Sequence, residues 1–547
     1  MNRRRFLRNS GWTLMGVAAS GSLLGAVTAC TSEEKSKPFN APENDNKIFW
    51  GDIHNHCNLT YGHGEMRDAF EAAKAHLDFV AVTPHALWPD IPGQNDPRLN
   101  WVIDYHTGAF ERLRNGGWDK YVAMTNEYNK EGEFLTFLSY ECHSMAHGDH
   151  VALLYDLEAP LLECNSVPHL KEQLEGQRAF VTPHHMGYQT GYRGYDWASF
   201  EPEQTPFVEM MSRHGLAEHD MGDYNYLHDM GPRIYEGTVT YGLEQGLKFG
   251  FIGSTDQHAG YPGSYGDGRV GVLAKSLSRE DIWDAFAKRR IYCATGDKIE
   301  VDFRINDAYM GEEITGNERK IYVNIEGGST IDYVDVIKNG KCIARMSGPY
   351  TPVVPEEEVI RAKVKVDFGW NREEAPVHWS GSLAITDGTI NDVEGCFRGA
   401  AFTSPQKDKI STSDLHSTHV NRILSKSDNK VDVELYSSKN PNVVTPATQA
   451  VILDVTMPKS GKLVANFNGK EFTYTLAELL EGTKAHFMNG WLSEAIQFNR
   501  AVPESAFTME HYMVDNEPQR DTDYYYVRVR QRDNQWAWSS PIWVSRV

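Results

Sequence analysis

The sequence has no excess of positive charge. Asp and Glu total 75 against 54 Lys and Arg, which gives the 547-residue chain a formal net charge of -21. Such a surface repels the phosphate backbone of nucleic acids, because attraction to that backbone supplies most of their non-specific binding. The charge balance therefore argues against DNA or RNA as a partner.

Cysteine is also scarce, with seven residues and no closely spaced pair. Apart from Cys30, the cysteines allow many disulfide pairings, so the sequence predicts no particular bridge. No internal repeat or low-complexity tract stands out. The 40% hydrophobic and 24% charged composition is that of a globular protein, not of a disordered, collagen-like or coiled-coil chain.

Histidine, in contrast, is abundant, with 21 residues. Neutral imidazole is the commonest metal ligand among side chains, so the placement of these histidines decides what they do. The chain is too long for one hydrophobic core, and we expect two or three domains.

The N-terminus has the pattern of an export signal. A basic start at residues 3–5 precedes an uncharged stretch over residues 11–29, as in a secretory signal peptide. The arginine pair resembles a twin-arginine signal, and residues 27–30 resemble a lipobox, in which Cys30 is acylated after cleavage.

Residues 1–30 are therefore predicted to be a twin-arginine lipoprotein signal peptide, and residues 31–46 a flexible tether. An uncleaved transmembrane anchor is the alternative. Both place the rest of the chain in the bacterial cell envelope, facing the periplasm or the exterior, with a lipid anchor as the expected membrane contact.

Beyond residue 46, short apolar runs alternate with amphipathic helical stretches, which is typical of a βα-repeat domain with a mostly parallel sheet. Several of these runs carry His, Glu or Asp at or beside one end. These endings contain His54 and His56, His85, Glu141, His150, His184 and His185, and Asp256 and His258.

The carboxyl ends of the strands of a βα-barrel converge on one face, so residues far apart in sequence become neighbours there. The HxH spacing places two imidazoles on one face of a strand. Zinc and manganese accept imidazole together with carboxylate, and Glu141 is able to bridge two ions. A single histidine is usually a surface or core residue, but so many at strand ends favour a metal site.

These residues resemble the PHP family, named for polymerase and histidinol phosphatase, and more narrowly a group of long PHP-like bacterial proteins formerly known as a domain of unknown function. The resemblance covers nearly everything after residue 46. It is carried by residues 50–56, 77–85, 140–141, 183–184, 207–209, 253–258, 271–296, 524–529 and 537–543.

The resemblance implies an α/β fold, a distorted, TIM-like seven-stranded βα-barrel over residues 47–300 that binds two or three divalent metal ions (Zn, Mn or Fe). The implied ligands are His54, His56, His63, His85, Glu141, His150, His184, Asp256 and His258. His143 and His147 are alternatives to His150. Where many family members have Thr-Asp-His, this chain has Thr83-Pro84-His85.

The family is mostly phosphoesterase, so we expect a metal-activated water to attack a small phosphate ester. His258 and His185 are the expected proton donors, and Arg213 and Arg269 are candidates to bind a phosphate oxygen. Glu209 is a candidate to line the pocket. The oligomeric state is not predicted.

Residues 301–547 contain alternating β-rich runs, and Asn339-Gly340 is a hairpin signal. We expect a β-rich, sandwich-like region without a ligand cluster. Two other functions fit the same sequence: hydrolysis of an amide, lactone, carbamate or sulfate ester, and metal binding by a lipoprotein without catalysis.

Overall fold

The computed structural model describes residues 37–93, 95–224, 231–373, 375–401 and 419–547. The predicted signal peptide with Cys30, and residues 31–36 of the predicted tether, lie outside these ranges. Among the described residues, no helix combines the length and apolar character that crossing a bilayer requires.

Most of the α-helices in the described ranges are short. They are α1 (Met66–Lys74), α2 (Asn100–Arg112), α3 (Trp118–Tyr128), α4 (Val167–Gln173), α5 (Val239–Glu244), α6 (Arg279–Ala287), α7 (Leu476–Glu481) and α8 (Glu504–Phe507). Side-chain caps begin several of them. Ser278 accepts a hydrogen bond from the Asp281 N–H at α6, and Thr475 forms a capping box with Glu478 at α7.

The strands up to residue 300 are mostly short and buried. They are β1 (Lys47–Asp52), β2 (Phe79–Val80), β3 (His85–Leu87), β4 (Leu135–Thr136), β5 (Leu138–Cys142), β6 (His150–Leu154), β7 (Ala179–Pro183), β8 (Phe207–Ser212), β9 (Gly215–Leu216), β10 (Gly250–Gly253), β11 (Arg269–Ala274) and β12 (Ile291–Ala294).

Many of the later strands are longer. They are β13 (Glu300–Ile305), β14 (Ala308–Tyr309), β15 (Glu313–Thr315), β16 (Arg319–Glu326), β17 (Ile331–Lys338), β18 (Lys341–Ser347), β19 (Val359–Gly369), β20 (Val377–Ile385), β21 (Thr389–Cys396), β22 (Arg422–Lys426), β23 (Lys430–Ser437), β24 (Gln449–Pro458), β25 (Lys462–Phe467), β26 (Lys470–Thr475), β27 (Lys484–Phe487), β28 (Ala495–Phe498), β29 (Val502–Pro503), β30 (Thr508–Asp515), β31 (Thr522–Gln531), β32 (Trp536–Ser539) and β33 (Ile542–Ser545).

The strands that carry the histidines belong to three sheets. One contains the parallel pairs β1–β2 and β2–β4 and the antiparallel pair β1–β11. In the second, β3 and β5 are parallel, whereas β5, β6 and β7 are antiparallel. β8 and β10 pair in parallel in the third. The fold is mixed α/β and β-rich, and the predicted seven-stranded barrel is not confirmed.

The predicted parallel arrangement fails at β5 and β6 because residues 143–149 join them without a helix. Parallel neighbours need a crossover of about a dozen residues or more, usually helical, whereas a short loop returns the chain antiparallel. The strand ends that carry the predicted ligands still come together, but not through an uninterrupted series of parallel βα units.

A six-stranded and a five-stranded sheet in the later part of the chain share one hydrophobic core. Buried and more exposed side chains alternate along β19, as expected of a strand with one face against a core. Its inward residues include Val364 and Val366, which belong to the same cluster as Trp379 of β20.

The end of the chain returns to the sheet that contains β1. β12 pairs antiparallel with β32, with Cys293 opposite Trp538, and β31 and β33 extend the same eleven-stranded sheet. Residues Phe39–Val547 form one compact unit. The predicted domain boundary at residue 300 stays a prediction, but the segments on its two sides share this sheet.

Candidate metal centre

Twelve histidine and carboxylate side chains meet in one buried region of the described chain. Each is at most 8% exposed. They are His54, His56, His85, Glu141, His143, Asp149, His184, His185, Glu209, His214, Asp256 and His258. Buried charges require partners, and here the partners are one another.

Backbone hydrogen bonds hold the two segments that follow β1 and β10 side by side. The Asp256 N–H donates to the His54 carbonyl over 2.8 Å, and the His56 N–H donates to the Gln257 carbonyl over 2.9 Å. In the neighbouring sheet, His85 of β3 lies opposite Glu141 of β5. This pairing explains how residues so distant in sequence converge.

Glu141 lies between two sets of imidazoles. Its Oε1 is 2.9 Å from His184 Nε2 and 3.1 Å from His143 Nδ1. Its Oε2 is 3.0 Å from His85 Nε2 and 3.6 Å from His56 Nε2. A carboxylate with each oxygen directed at different imidazoles has the arrangement of a bridging ligand.

Asp256 has the same arrangement. Its Oδ1 is 3.0 Å from His56 Nε2 and 3.5 Å from His54 Nε2. Its Oδ2 is 3.0 Å from His185 Nε2 and 3.3 Å from His214 Nε2. His54 Nε2 is also 3.9 Å from Glu141 Oε2, so Glu141 and Asp256 share His54 and His56 as neighbours.

Several groups of three side chains place one ligand atom each within 4.8 Å of the others. These groups include His54, Glu141 and His184; His56, His85 and His258; His54, His56 and Asp256; His85, Glu141 and His143; and Asp149, His184 and His185. Imidazole and carboxylate together suit zinc, manganese or iron.

Buried ring nitrogens without hydrogen-bond partners support a metal site. Both ring nitrogens of His258, Nε2 of His54 and Nδ1 of His184 have no hydrogen-bond partner. Buried polar atoms normally have one. Because a divalent ion is bound through such a nitrogen, the donor set fits a metal, and the chain supplies the expected ligand chemistry.

The outer nitrogens of the HxH pair are already engaged. His54 Nδ1 is 2.7 Å from Glu209 Oε2, and His56 Nδ1 is 2.6 Å from the Thr83 carbonyl. Such bonds fix the ring orientation and direct Nε2 of each histidine toward the cluster. The sequence-based candidate Glu209 thus contacts His54, one of the predicted ligands.

Burial and charge set the protonation of the cluster. Burial, together with neighbouring imidazoles, lowers the pKa of His184 and of His258 well below the ordinary value, which favours the neutral ring that binds metals. Burial alone would raise the pKa of Asp256, but His54 and His214 hold it well below the usual range.

Three residues at the site have a left-handed backbone without being glycine. They are His185 with φ 55°, Arg193 with φ 70° and Asp256 with φ 44°. Non-glycine residues rarely adopt this conformation, and it concentrates at functional sites. It turns the His185 side chain between Asp149 Oδ2 and Asp256 Oδ2, at 2.9 and 3.0 Å.

His63 and His150 were also predicted as ligands. The His63 N–H donates to the His258 carbonyl over 2.7 Å, so the two residues are neighbours. His150 Nδ1 is 3.0 Å from the Gly148 carbonyl and its ring packs against Tyr195. The structure brings the preceding residue, Asp149, into the cluster.

Two arginines predicted to bind substrate have other partners. Arg213 Nη1 is 2.6 and 2.7 Å from the two oxygens of Asp267. Arg269 is fully buried and donates to the carbonyls of Gly263 and Gly296. These hydrogen bonds hold the backbone at Gly263 and Gly296, so Arg269 stabilises the fold around the site.

Arg193 is the guanidinium that the structure places at the cluster. Its Nε donates to Asp149 Oδ2 over 2.6 Å, its Nη2 is 2.7 Å from His143 Nδ1, and it lies over the Trp88 ring. The side chain is 18% exposed, so it lies between the buried ligands and solvent. No sequence motif marked it.

No family model matches this chain. A protein of Chlamydia pneumoniae is 24% identical over 275 residues, covering 46% of this chain and 44% of the relative. A protein of Chlamydia trachomatis serovar D is 29% identical over 305 residues, covering 48% and 49%. Both are described as uncharacterized, and the chain spans about half the length of these relatives.

Among solved structures, the chain is similar to the crystal structure of a two-domain protein from Bacteroides vulgatus ATCC 8482 that contains a predicted PHP-like metal-dependent phosphoesterase. The identity is 12% and the TM-score 0.29, with 80% of this chain and 98% of the other covered. A similarity of this size carries no conclusion about activity.

Proposed function

We propose that this chain is a metal-dependent hydrolase, and specifically a phosphoesterase that acts on small phosphate esters. The observation that carries the proposal is the arrangement of Glu141 and Asp256, each with two oxygens directed at different buried imidazoles. Two adjacent ions suit phosphoryl chemistry because they stabilise both the attacking and the leaving oxygen.

The ions would be held by two groups of side chains, and Glu141 and Asp256 each contact imidazoles of both groups. One group is His54, Glu141 and His184, and the other is His56, His85 and His258. Asp256 lies between them. Divalent ions held there would supply the positive charge that makes a water molecule acidic enough to act as a nucleophile near neutral pH.

Arg193 would bind a non-bridging phosphate oxygen. Its planar fork of donors matches a phosphate, and its position over Trp88 beside His143 faces the ligand cluster. His185 would protonate the leaving alkoxide, because its ring is held between two carboxylates that stabilise the protonated form.

In an alternative arrangement, Asp149, His184 and His185 would bind a third ion. The number of bound ions distinguishes the two arrangements. With two ions per chain His185 is the proton donor, and with three it is a ligand, which leaves His214, 3.3 Å from Asp256 Oδ2, as the nearest imidazole for proton transfer.

The proposal is tested by elemental analysis of the purified protein beside a screen of phosphomonoesters and phosphodiesters. We expect two or three ions per chain, and we expect His54→Ala to lose both metal and activity. His378→Ala, a partly exposed histidine of β20 paired with Glu434, is the matched control and should keep both.

Other outcomes of the metal analysis and the substrate screen would support a different function. A metal-replete protein that is inert on every phosphate ester but cleaves an amide, lactone, carbamate or sulfate ester has the same centre and another bond specificity. Metal binding without any hydrolysis indicates a binding lipoprotein. A protein that takes up no metal after reconstitution contradicts the central proposal.

We also propose the finer fold and location that the resemblance implies: a PHP-like barrel followed by a sandwich, exported and anchored through lipid on Cys30. Metabolic labelling with a fatty acid tests the anchor. Wild-type protein should incorporate label and fractionate with membranes, and Cys30→Ala should do neither.

A further inference from the structure

Asp90, in the loop that follows β3, holds the loop between β5 and β6 by three hydrogen bonds. Its Oδ2 accepts from the Ser144 hydroxyl and from the Ala146 N–H, both over 2.9 Å, and its Oδ1 accepts from the Met145 N–H over 3.0 Å. Hydrogen bonds to a charged acceptor are stronger than neutral ones, so three on one carboxylate fix the loop. Asp90 is exposed and is not one of the twelve buried side chains of the metal centre.

The loop that Asp90 holds is joined to the metal centre through Ser144. The Ser144 N–H donates to Asp149 Oδ1 over 2.9 Å, whereas the Ser144 hydroxyl contacts Asp90 and accepts from the His147 N–H over 3.1 Å. Ser144 is 2% exposed, so these contacts lie inside the protein surface. A single residue therefore connects the exposed carboxylate of Asp90 to the buried carboxylate of Asp149.

A second segment, which follows β7 and carries Arg193, packs on this loop. The Arg193 N–H donates to the Met145 carbonyl over 3.4 Å. Gly148 has φ 80°, and a Cβ there would lie 2.8 Å from Tyr195 Cα, so the two backbones are in close contact. The Arg193 side chain contacts the same loop, with Nε 2.6 Å from Asp149 Oδ2. The position of Arg193 therefore depends on the loop that Asp90 holds.

The segment that contains Asp90 also contacts the guanidinium directly. Trp88, two residues before Asp90, lies beneath it, with 5.0 Å between Arg193 Cζ and the ring centroid. A cation over an aromatic face is attracted by the ring. At the beginning of the β5–β6 loop, the His143 N–H donates to the Leu87 carbonyl over 2.9 Å. Residues 87–90 therefore support both the loop and the arginine.

We propose that Asp90 is a positioning residue for the phosphate-binding guanidinium. It fixes the loop between β5 and β6, and that loop in turn fixes Arg193. Asp90 itself touches neither the substrate nor an ion. The effect on catalysis rests on the proposed function, because it requires that Arg193 binds a phosphate oxygen. The structural connection from Asp90 to Arg193 does not rest on it.

Hydrogen–deuterium exchange of the purified protein tests the structural connection. Asp90→Ala removes three bonds to a charged acceptor, so amides of residues 144–147 and 190–195 should exchange at least about 10-fold faster. Asp90→Asn keeps one acceptor oxygen and should have a smaller effect. Unchanged exchange in β5 and β6 shows that both variants fold. Asp96→Ala, which removes a carboxylate paired with exposed Arg98, is the matched control. Faster exchange confined to residues 144–147 would overturn the proposal.

Steady-state kinetics on a phosphate ester test the effect on catalysis. Asp90→Ala should raise KM about 10-fold, with a smaller change in kcat and an unchanged ion content, because the guanidinium is displaced while the ligands remain. In an Arg193→Lys background, Asp90→Ala should add little, since both changes act through one side chain. The same fold-rise in both backgrounds would overturn the proposal. If both segments loosen in Asp90→Ala but wild-type protein cleaves no phosphate ester, the connection stands and the proposed function fails.

Discussion

Glu141 and Asp256 illustrate how much of this site depends on single carboxylates. Each oxygen of each residue faces a different imidazole, so both oxygens and the negative charge are used. Replacing such a residue removes an attraction shared by two sets of ligands, and its effect should exceed that of removing one histidine.

We expect Glu141→Gln to lose at least one ion per chain and to lower kcat at least about 100-fold, because the amide has no charge and only one acceptor oxygen. Ion content and steady-state kinetics measure this. Glu434→Gln, on the exposed pair with His378, is the isosteric control. An unchanged ion content in Glu141→Gln would rule out the bridging role.

A pair of substitutions tests whether His143 or His150 contributes to the metal centre. His143→Ala should lower ion content or activity, because its Nδ1 lies 3.1 Å from Glu141 and 3.3 Å from Asp149. His150→Ala should keep the ions and lower only the free energy of unfolding, by about 1–3 kcal/mol for a buried ring. The reverse pattern would restore His150 as the ligand.

Arg193→Lys tests substrate binding. A lysine keeps the charge but loses the planar fork, and we expect KM for a phosphate ester to rise about 10- to 100-fold while ion content is unchanged. Arg67→Lys is the control, since Arg67 makes a similar two-bond contact with exposed Glu127. Equal kinetics in the two variants would place the phosphate elsewhere.

At the scale of elements, the later strands support the segment that follows β9. Buried Glu218 accepts hydrogen bonds from Tyr526 of β31 and from Trp538 of β32, both at 2.8 Å, and lies 3.3 Å from Arg528. One carboxylate therefore links two strands to the backbone beside Glu209 and His214.

Glu218→Gln should lower the free energy of unfolding by about 1–3 kcal/mol, because a buried cation and buried donors lose their charged partner. Denaturant unfolding at constant metal concentration measures it. Glu127→Gln removes a surface carboxylate and should leave the free energy of unfolding nearly unchanged, because exposed ion pairs contribute little. If both variants lose the same amount, Glu218 does not connect these elements.

The sequence indicates which residues at strand ends lie in the cluster better than it indicates which loop residues do. His54, His56 and His85 follow or begin recognisable apolar runs, so their convergence could be expected. Neighbouring residues of a strand face opposite sides, and sequence could not tell whether Asp149 or His150 faces the ligands.

Arg193 and His214 were missed for a different reason. Both lie outside the regular strands, between β7 and β8 or between β8 and β9, where no periodic pattern exists. Their placement depends on backbone conformations such as the left-handed φ of Arg193. Sequence does not indicate this conformation, because the position holds neither glycine nor asparagine. The antiparallel return of β6 depends on a loop length whose effect on topology appears only once the partner strands are known.

At the scale of the whole molecule, a buried carboxylate links the later sheets to the site-bearing part. Glu394 of β21 is 11% exposed, accepts a hydrogen bond from the Lys298 N–H and lies 3.7 Å from Arg269. Burial, with a further contribution from Asp297, raises the pKa of Glu394 to about 7.

This pKa has a consequence for stability. The folded value of about 7 exceeds the unfolded value of about 4.3, so the folded protein binds the extra proton between these pH values. The contribution of Glu394 to the free energy of unfolding is therefore fully present below about pH 4 and is lost as pH rises to about 7.

Glu394→Gln should reduce this loss by about 1–3 kcal/mol between pH 4.5 and 7.5. Thermal or denaturant unfolding across that range measures it. Asp392→Asn, on the same strand but 79% exposed, should keep the wild-type slope. A Glu394→Gln variant with an unchanged slope would show that this carboxyl ionises normally.

The return of the last strands to β12 also sets the order in which the protein can be made. Thr295, just after β12, bonds to Gln535, which is 240 residues later. During translation, one edge of β12 therefore stays unpaired until almost the whole chain has left the ribosome. Unpaired edges invite association with other chains, so a nascent or prematurely terminated chain should be a chaperone client and a protease substrate until β32 is released.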